Sequence, residues 1–189
     1  MIKKGKCCKN TFTFFCNPIL VTIMNPNTHY FRLYKTPPAF DDMLMESDGE
    51  ALIGLLFVDG NSTDFFAETE LPIFAETARW LDMYFSGREP DFVPNYKVID
   101  PTPFRKEVYE VMLSIPFGHV LTYGDIACRI ANNHNIPKMS AQAVGNAVGS
   151  NPICLIIPCH RVIGANNRLG GYGGGLENKK ALLRLEGRG

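Results

Sequence analysis

Residues 122–149 read TYGDIACRIANNHNIPKMSAQAVGNAVG, a pattern of two helices separated by a polar turn. Thr122 stands as an N-cap, with Asp125 in the first turn where a carboxylate suits the helix dipole. Ile126, Ala127, Ile130 and Ala131 then recur on one inward face. Asn132 to Pro137 breaks the periodicity, and Ser140 caps a second helix from Ala141 to about Gly149. Helix, polar turn and small-residue helix in that order fit a helix-turn-helix. The second helix is poor in side chains, with Ala141, Ala143, Gly145, Ala147 and Gly149. Each glycine costs about 1 kcal/mol relative to alanine inside a helix, so close approach of this backbone to something large is expected. A phosphate backbone or a narrow groove is one such object and a packed neighbouring helix is another; both stay open on the residues alone.

Downstream comes Ile156-Ile157-Pro158-Cys159-His160-Arg161-Val162. Pro158 fixes its own φ and biases Ile157 toward an extended conformation, so the approach to Cys159 is stiff. A thiol held at the end of an apolar run, with an imidazole next to it, is a candidate nucleophile. A packed core cysteine is the alternative. Gly170-Gly171-Tyr172-Gly173-Gly174-Gly175 follows. It is not a phosphate loop, since no Gly-Lys-Ser/Thr succeeds it and Leu176 breaks the GxGxxG spacing. It reads as a loop that brings backbone close to a ligand, with Tyr172 as its one large side chain. A last helix, Leu176 to Leu185, is expected to turn Leu176, Leu182, Leu183 and Leu185 inward. Glu186 sits at its end, where the dipole disfavours a carboxylate.

Upstream, Thr102-Pro103 starts a helix whose buried stripe is Phe104, Val108, Val111, Met112 and Ile115, ended by Pro116-Phe117-Gly118. His119 to Leu121 reads as a connector, and Glu89 to Pro103, with four prolines, as a linker. Before it, Tyr30–Tyr34 and Ala51–Val58 read as antiparallel strands, with Ser47-Asp48-Gly49 and Asp59-Gly60-Asn61 as turns. Phe74, Ala78, Leu81 and Phe85 mark an amphipathic helix closed by Ser86-Gly87. Nothing in this first part suggests chemistry. The result is an α+β chain in three parts: residues 1–28 as a disordered leader or upstream extension, 29–98 as an N-terminal α/β domain, and 101–189 as the second domain.

The 189-residue chain has zero formal net charge, yet the charge is segregated. From Pro101 onward ten basic residues stand against five acids, so that part carries +5 and the remainder −5. A basic half suggests a polyanionic partner for that half. The six cysteines lack the spacing of a secreted disulfide scaffold, which favours a reducing compartment. Lys3 to Ile23 superficially resembles a signal peptide, but Asn17-Pro18 interrupts its apolar part and no small-residue cleavage site follows. It is also too short to span a membrane. Cys7, Cys8, Cys16 and His29 match no common zinc spacing, so no metal and no cofactor are expected.

Several of these stretches occur in the order found in a known family. Ile115-Pro116-Phe117-Gly118, Thr122-Tyr123-Gly124, Asn151-Pro152, Pro158-Cys159-His160-Arg161-Val162, Gly171 to Leu176, Leu182-Leu183 and Glu186-Gly187 resemble the O6-alkylguanine-DNA alkyltransferases, also called methylated-DNA–protein-cysteine methyltransferases. The resemblance spans Phe104 to Gly187 and is weak before it. It implies a ribonuclease-H-like first domain and a winged helix-turn-helix second domain. It also implies DNA repair by direct reversal: minor-groove binding, base flipping and irreversible, stoichiometric alkyl transfer from O6-alkylguanine to Cys159. His160 would take the thiol proton through a water, with Glu186 orienting the imidazole. Asn151 would hold the turn before the thiol, and Tyr123 would protonate the leaving base. Ala141, Gln142, Ala143, Gly145, Arg161, Val162, Tyr172 and Gly173 would contact DNA or the flipped base. The implied partner is double-stranded DNA carrying O6-alkylguanine, met by a monomer with no obligate protein partner and no membrane, in the cytoplasm or, in a eukaryote, the nucleus.

The chain departs from the family pattern at three places. Gln142 stands where many members have arginine, Cys154 where some have a pocket-wall proline, and Gly173 where some have serine. Two competing readings remain: a lesion-binding module of the same fold that does not react, and a cysteine hydrolase. The first fits poorly with a cysteine at 159, and the second leaves the helix-turn-helix and the basic half unexplained.

Overall fold

The computed structural model describes residues 29–58 and 69–187. The leader expected over 1–28, the turn at Asp59-Gly60-Asn61, and Cys7, Cys8 and Cys16 lie outside them. Three strands, β1 (Tyr30–Tyr34), β2 (Asp42–Ser47) and β3 (Leu52–Val58), form an antiparallel sheet in chain order. Strand β2 is absent from the sequence reading. Its side chains do alternate, with Met43, Met45 and Ser47 buried. However, methionine and acids do not carry the branched or aromatic signature used to recognise strands. The β2–β3 turn is the expected one: Asp48 Oδ1 accepts from the backbone of Glu50 and Ala51, and Gly49 adopts φ 105°.

Helix α1 (Pro72–Phe85) lays Phe74, Trp80, Leu81, Tyr84 and Phe85 into the core. The interval expected as a linker is pinned to the outer edge of β3, because its prolines keep it extended. Leu52 N donates to Asn95 O at 2.9 Å and accepts at its own carbonyl from Lys97 N at 2.9 Å.

Helices α2 (Pro103–Leu113), α3 (Tyr123–Asn133) and α4 (Ala141–Gly149) begin at the three expected caps. Thr122 and Asp125 form a reciprocal capping box, and Ser140 Oγ accepts from Ala143 N at 3.2 Å. The 119–121 connector ends in a two-residue strand, β4 (Leu121–Thr122), which pairs in parallel with β5 (Val162–Ile163). In helix α5 (Leu176–Leu185) the inward face carries Asn178, Lys179, Leu182 and Leu183. Leu176, expected inward, is 46% exposed. It is the first residue of the helix after Gly175 at φ 86°, and its place on the buried face is taken by two polar residues that tie down loops.

The segment between α4 and Cys159 continues along β3. Leu55 N donates to Pro152 O and Cys154 N donates to Leu55 O, both at 2.8 Å. Leu155 then takes φ 69°, turning the chain so that Ile156-Ile157 run back into the core. Residues of both halves share one core, in which Met43, Leu55, Phe74 and Tyr84 join Val108, Ile126, Cys159 and Leu182. No helix among the described residues is long and apolar enough to cross a membrane.

Candidate active site

Cys159 opens a single 3-10 turn, Cys159–Arg161, and is 6% exposed. Asn151 builds the approach to it. Its Oδ1 accepts from Ile153 N at 3.0 Å, while its Nδ2 donates to Ile157 O at 2.8 Å and to Cys159 Sγ at 3.1 Å. A hydrogen bond from the Cys154 thiol pulls the Cys159 pKa below that of an ordinary thiol; burial opposes this, and Asn151 and the Lys179 ammonium assist. Cys154 is pushed well up by the same bond and by burial, so of the two thiols Cys159 is the one that ionises first.

The neighbouring side chain, His160, is completely buried. Its Nε2 lies 2.8 Å from Glu186 Oε1 and 3.1 Å from Tyr84 Oη, while Nδ1 has no partner among the described residues. Burial pushes the imidazole pKa down despite the Glu186 carboxylate, with Arg161 and Lys179 adding to the depression, so the ring is neutral at neutral pH. Burial alone would raise the Glu186 carboxyl. The bonds it accepts from His160, Arg161 and Tyr84 outweigh that and hold its pKa down at about 2. Gly118 N also donates to Glu186, at 3.1 Å. Gly118 has φ 74°, and a Cβ there would meet the Glu186 carbonyl oxygen at 2.8 Å, so this loop needs glycine. A carboxylate at the end of a helix is thereby paired by a buried guanidinium rather than left against the dipole.

Arg161, expected at the DNA, is turned inward. Nε and Nη2 bond Glu186 at 3.0 and 2.9 Å, and Nη1 donates to Ile115 O at 2.7 Å. The Glu186 carboxylate is buried, and a buried charge left without its partner is strongly destabilising, so the nearby guanidinium is held against it. Val162 is likewise buried; its carbonyl accepts from Lys179 Nζ at 2.6 Å, and its N–H donates to Cys159 O.

In front of the thiol opens a cleft of about 800 Å³. Of the residues singled out from the sequence, Tyr123, Ala141, Gln142, Gly145, Asn151, Cys159, Tyr172 and Gly173 line it, and Ala143 does not. Tyr123 Oη reaches Gly171 O at 3.5 Å; burial, then the nearby Cys159 charge, raises its pKa. Gln142 is exposed and bonds Asn146 within its own helix at 3.4 Å. The Tyr172 hydroxyl is buried beside the Cys154 thiol, and burial pushes its pKa well up.

Three contributors were missed. Lys179, fully buried, donates to Val162 O and Leu169 O, both at 2.6 Å, clamping the thiol turn to the glycine-rich loop. Burial lowers its pKa to about 8. A signal existed: Lys179, Leu182, Leu183 and Glu186 fall at the spacing of one helix face. Phe57 of β3 walls the cleft and meets the Tyr172 ring edge-on at 6.4 Å. Tyr84 of α1 donates to Glu186 Oε1 at 2.6 Å across 102 residues of chain, which no local pattern reveals. The first part of the chain, expected to be without chemistry, therefore supplies a wall of the cleft and a member of the buried polar cluster.

The model of the 6-O-methylguanine DNA methyltransferase DNA-binding domain matches residues 103–188. The methylated-DNA–protein-cysteine methyltransferase of Methanosarcina acetivorans is 40% identical, over 84% of this chain and 98% of that protein. The one from Haemophilus influenzae is 37% identical, over 83% and 86%. Among solved structures, Mycobacterium tuberculosis OGT in complex with DNA superposes with a TM-score of 0.69 and 34% identity, over 83% of this chain and 92% of that one. The chain belongs to the methylated-DNA–protein-cysteine methyltransferase family.

Proposed function

We propose that the protein binds double-stranded DNA and transfers the alkyl group of O6-alkylguanine to Cys159 Sγ, once per molecule. The carrying observation is the buried His160 ring, whose Nε2 faces Glu186 while Nδ1 has no partner among the described residues. That leaves one ring nitrogen as acceptor for the Cys159 proton, through a water, in the nucleophile–base–orienter logic of a triad. The thiolate attacks the alkyl carbon, an S–C bond forms as the C–O6 bond breaks, and the bonding pair leaves with the purine. Tyr123 Oη, on the cleft wall, supplies a proton to a ring nitrogen of the departing base. The product is a thioether that no nearby group cleaves, so each molecule reacts once.

Delivery of the base rests on α4. Its small residues let backbone approach the minor groove, and the lesion is flipped into the cleft because in-line attack is blocked inside the duplex. In this reading α3 and α4 with the β4–β5 pair make up a winged helix-turn-helix within a DNA-binding domain of residues 101–189. The sheet and α1 make up a ribonuclease-H-like domain of residues 29–98. The protein works as a monomer without a cofactor, in the cytoplasm or nucleus.

The test is a mass measurement after incubation with duplex DNA containing O6-methylguanine. One methyl group on the peptide containing Cys159, in equimolar yield, is expected, with Cys159→Ala binding the duplex and gaining nothing. Unmodified protein bound to the lesion, or repeated turnover, refutes the reading.

A further inference from the structure

We propose that Tyr84 is a positioning residue for alkyl transfer, fixing through its hydroxyl the orientation and tautomer of His160 from the N-terminal half of the chain. The inference deepens the reading of Cys159 as alkyl acceptor and rests on it.

Three polar atoms meet in the buried interior: Tyr84 Oη, His160 Nε2 and Glu186 Oε1 lie 2.6, 2.8 and 3.1 Å apart in pairs. Glu186 is ionised and can only accept, so the Tyr84 hydroxyl hydrogen points at it. The remaining lone pairs of Tyr84 Oη then face His160 Nε2. A bare Nε2 lone pair would confront two acceptors at once in a fully buried position. Nε2 therefore carries the ring hydrogen, shared between Glu186 and Tyr84, and Nδ1 is the bare nitrogen that accepts the thiol proton. Two acceptors at different angles fix the ring against rotation, where one carboxylate alone would leave it freer. Tyr84 is itself packed on several sides: its ring stacks on Trp80 at 5.4 Å and meets Phe117 and His160 edge-on at 5.9 and 6.2 Å.

The charged and titratable groups facing His160 are Glu186 and Lys179 from α5, Arg161 and Cys159 from its own turn, and Tyr84 from α1. Removing the Tyr84 hydroxyl takes a donor from Glu186, concentrates the carboxylate charge on the remaining partners, and so strengthens its pull on the His160 N–H. The ring then holds a second proton more readily, and the acid limb of the reaction moves to higher pH.

Tyr84→Phe keeps every ring contact and deletes only the hydroxyl. Single-turnover kinetics with excess O6-methylguanine duplex separate the maximal rate from half-saturation. The expected result is a maximal rate lowered roughly tenfold, a fraction of the usual general-base contribution, with half-saturation unchanged and the acid limb shifted upward. Nitrogen-15 spectra of the histidine rings should show His160 as the Nε2–H tautomer in the parent protein and shifted signals in the variant. An unaltered rate and acid limb overturns the proposal. So does a slower variant whose pH profile and ring spectra match the parent, because that is a purely structural effect. If the parent itself takes no methyl group, the alkyl-acceptor reading has failed, and the pH profile of Cys159 alkylation by iodoacetamide, with the ring spectra, still decides the role of Tyr84.

Discussion

Replacing Glu186 by glutamine strips the charge from a carboxylate that accepts hydrogen bonds from Tyr84, His160, Arg161 and the Gly118 backbone. Its proton affinity is depressed from the ordinary 4.5 to about 2. At about 1.4 kcal/mol per pH unit, that depression corresponds to about 3 kcal/mol favouring the folded, ionised state. Because the folded pKa is the lower one, the contribution is complete above about 4.5 and disappears as the pH falls through about 2. Glu186→Gln also leaves the Arg161 guanidinium buried opposite a neutral amide, and breaking a buried pair typically costs about 3–5 kcal/mol. Urea unfolding of parent and variant, measured from neutral pH downward, tests both statements. The expected outcome is a gap of at least about 3 kcal/mol at neutral pH that narrows steadily in acid. A gap below about 1 kcal/mol, the scale of an exposed pair, or one that stays constant with pH refutes the account of the cluster.

Further outcomes follow from the same geometry. Cys154→Ala removes the thiol hydrogen bond that does most to lower the Cys159 pKa, so the iodoacetamide reactivity of Cys159 should move to higher pH; an unmoved profile contradicts the thiol pairing. Gln142→Arg adds a cation on the exposed face of α4. It should tighten binding to lesion duplex several-fold and steepen the salt dependence by about one phosphate contact, and equal affinity for damaged duplex counts against α4 as the DNA-facing helix. Gly118→Ala places a Cβ against the Glu186 carbonyl at φ 74°. It should cost about 1–3 kcal/mol, read as a lowered Tm, and a neutral substitution contradicts the close approach.

What could be read from the residues was whatever acts locally or along one periodic face. Thr102, Thr122 and Ser140 each bond a backbone N–H three residues on, and the caps found in the structure are the expected ones. Asn151, Cys159, His160 and Glu186 were picked out by motif, and the fold bonds Asn151 to the Cys159 sulfur and His160 to Glu186. Partnership across the chain was not legible. Arg161 looked like one more cation of a basic half until a carboxylate from the last helix was seen to hold it. Tyr84 looked like packing because its stripe on α1 is apolar, and the polar end of an aromatic shows its use only when its partner is in place. Strand β2 escaped because alternation of methionine with acids satisfies the pleat without advertising it.

The outer edge of β3 takes its backbone partners from two places, Asn95–Lys97 near one end and Pro152–Cys154 near the other. During synthesis the chain emerges from its N-terminus, so β3 leaves the ribosome about a hundred residues before the segment that pairs with Leu55. Until Asn95–Lys97 and then Pro152–Cys154 emerge, the nascent sheet presents an open, largely apolar edge, the form of surface that recruits strands from other chains. Only when the last helix has emerged does Glu186 meet Arg161 and lock the thiol turn in place. The edge is therefore covered before the thiol turn is locked: a chain truncated before Pro152 keeps an open strand, and one truncated before Glu186 lacks the carboxylate that holds Arg161.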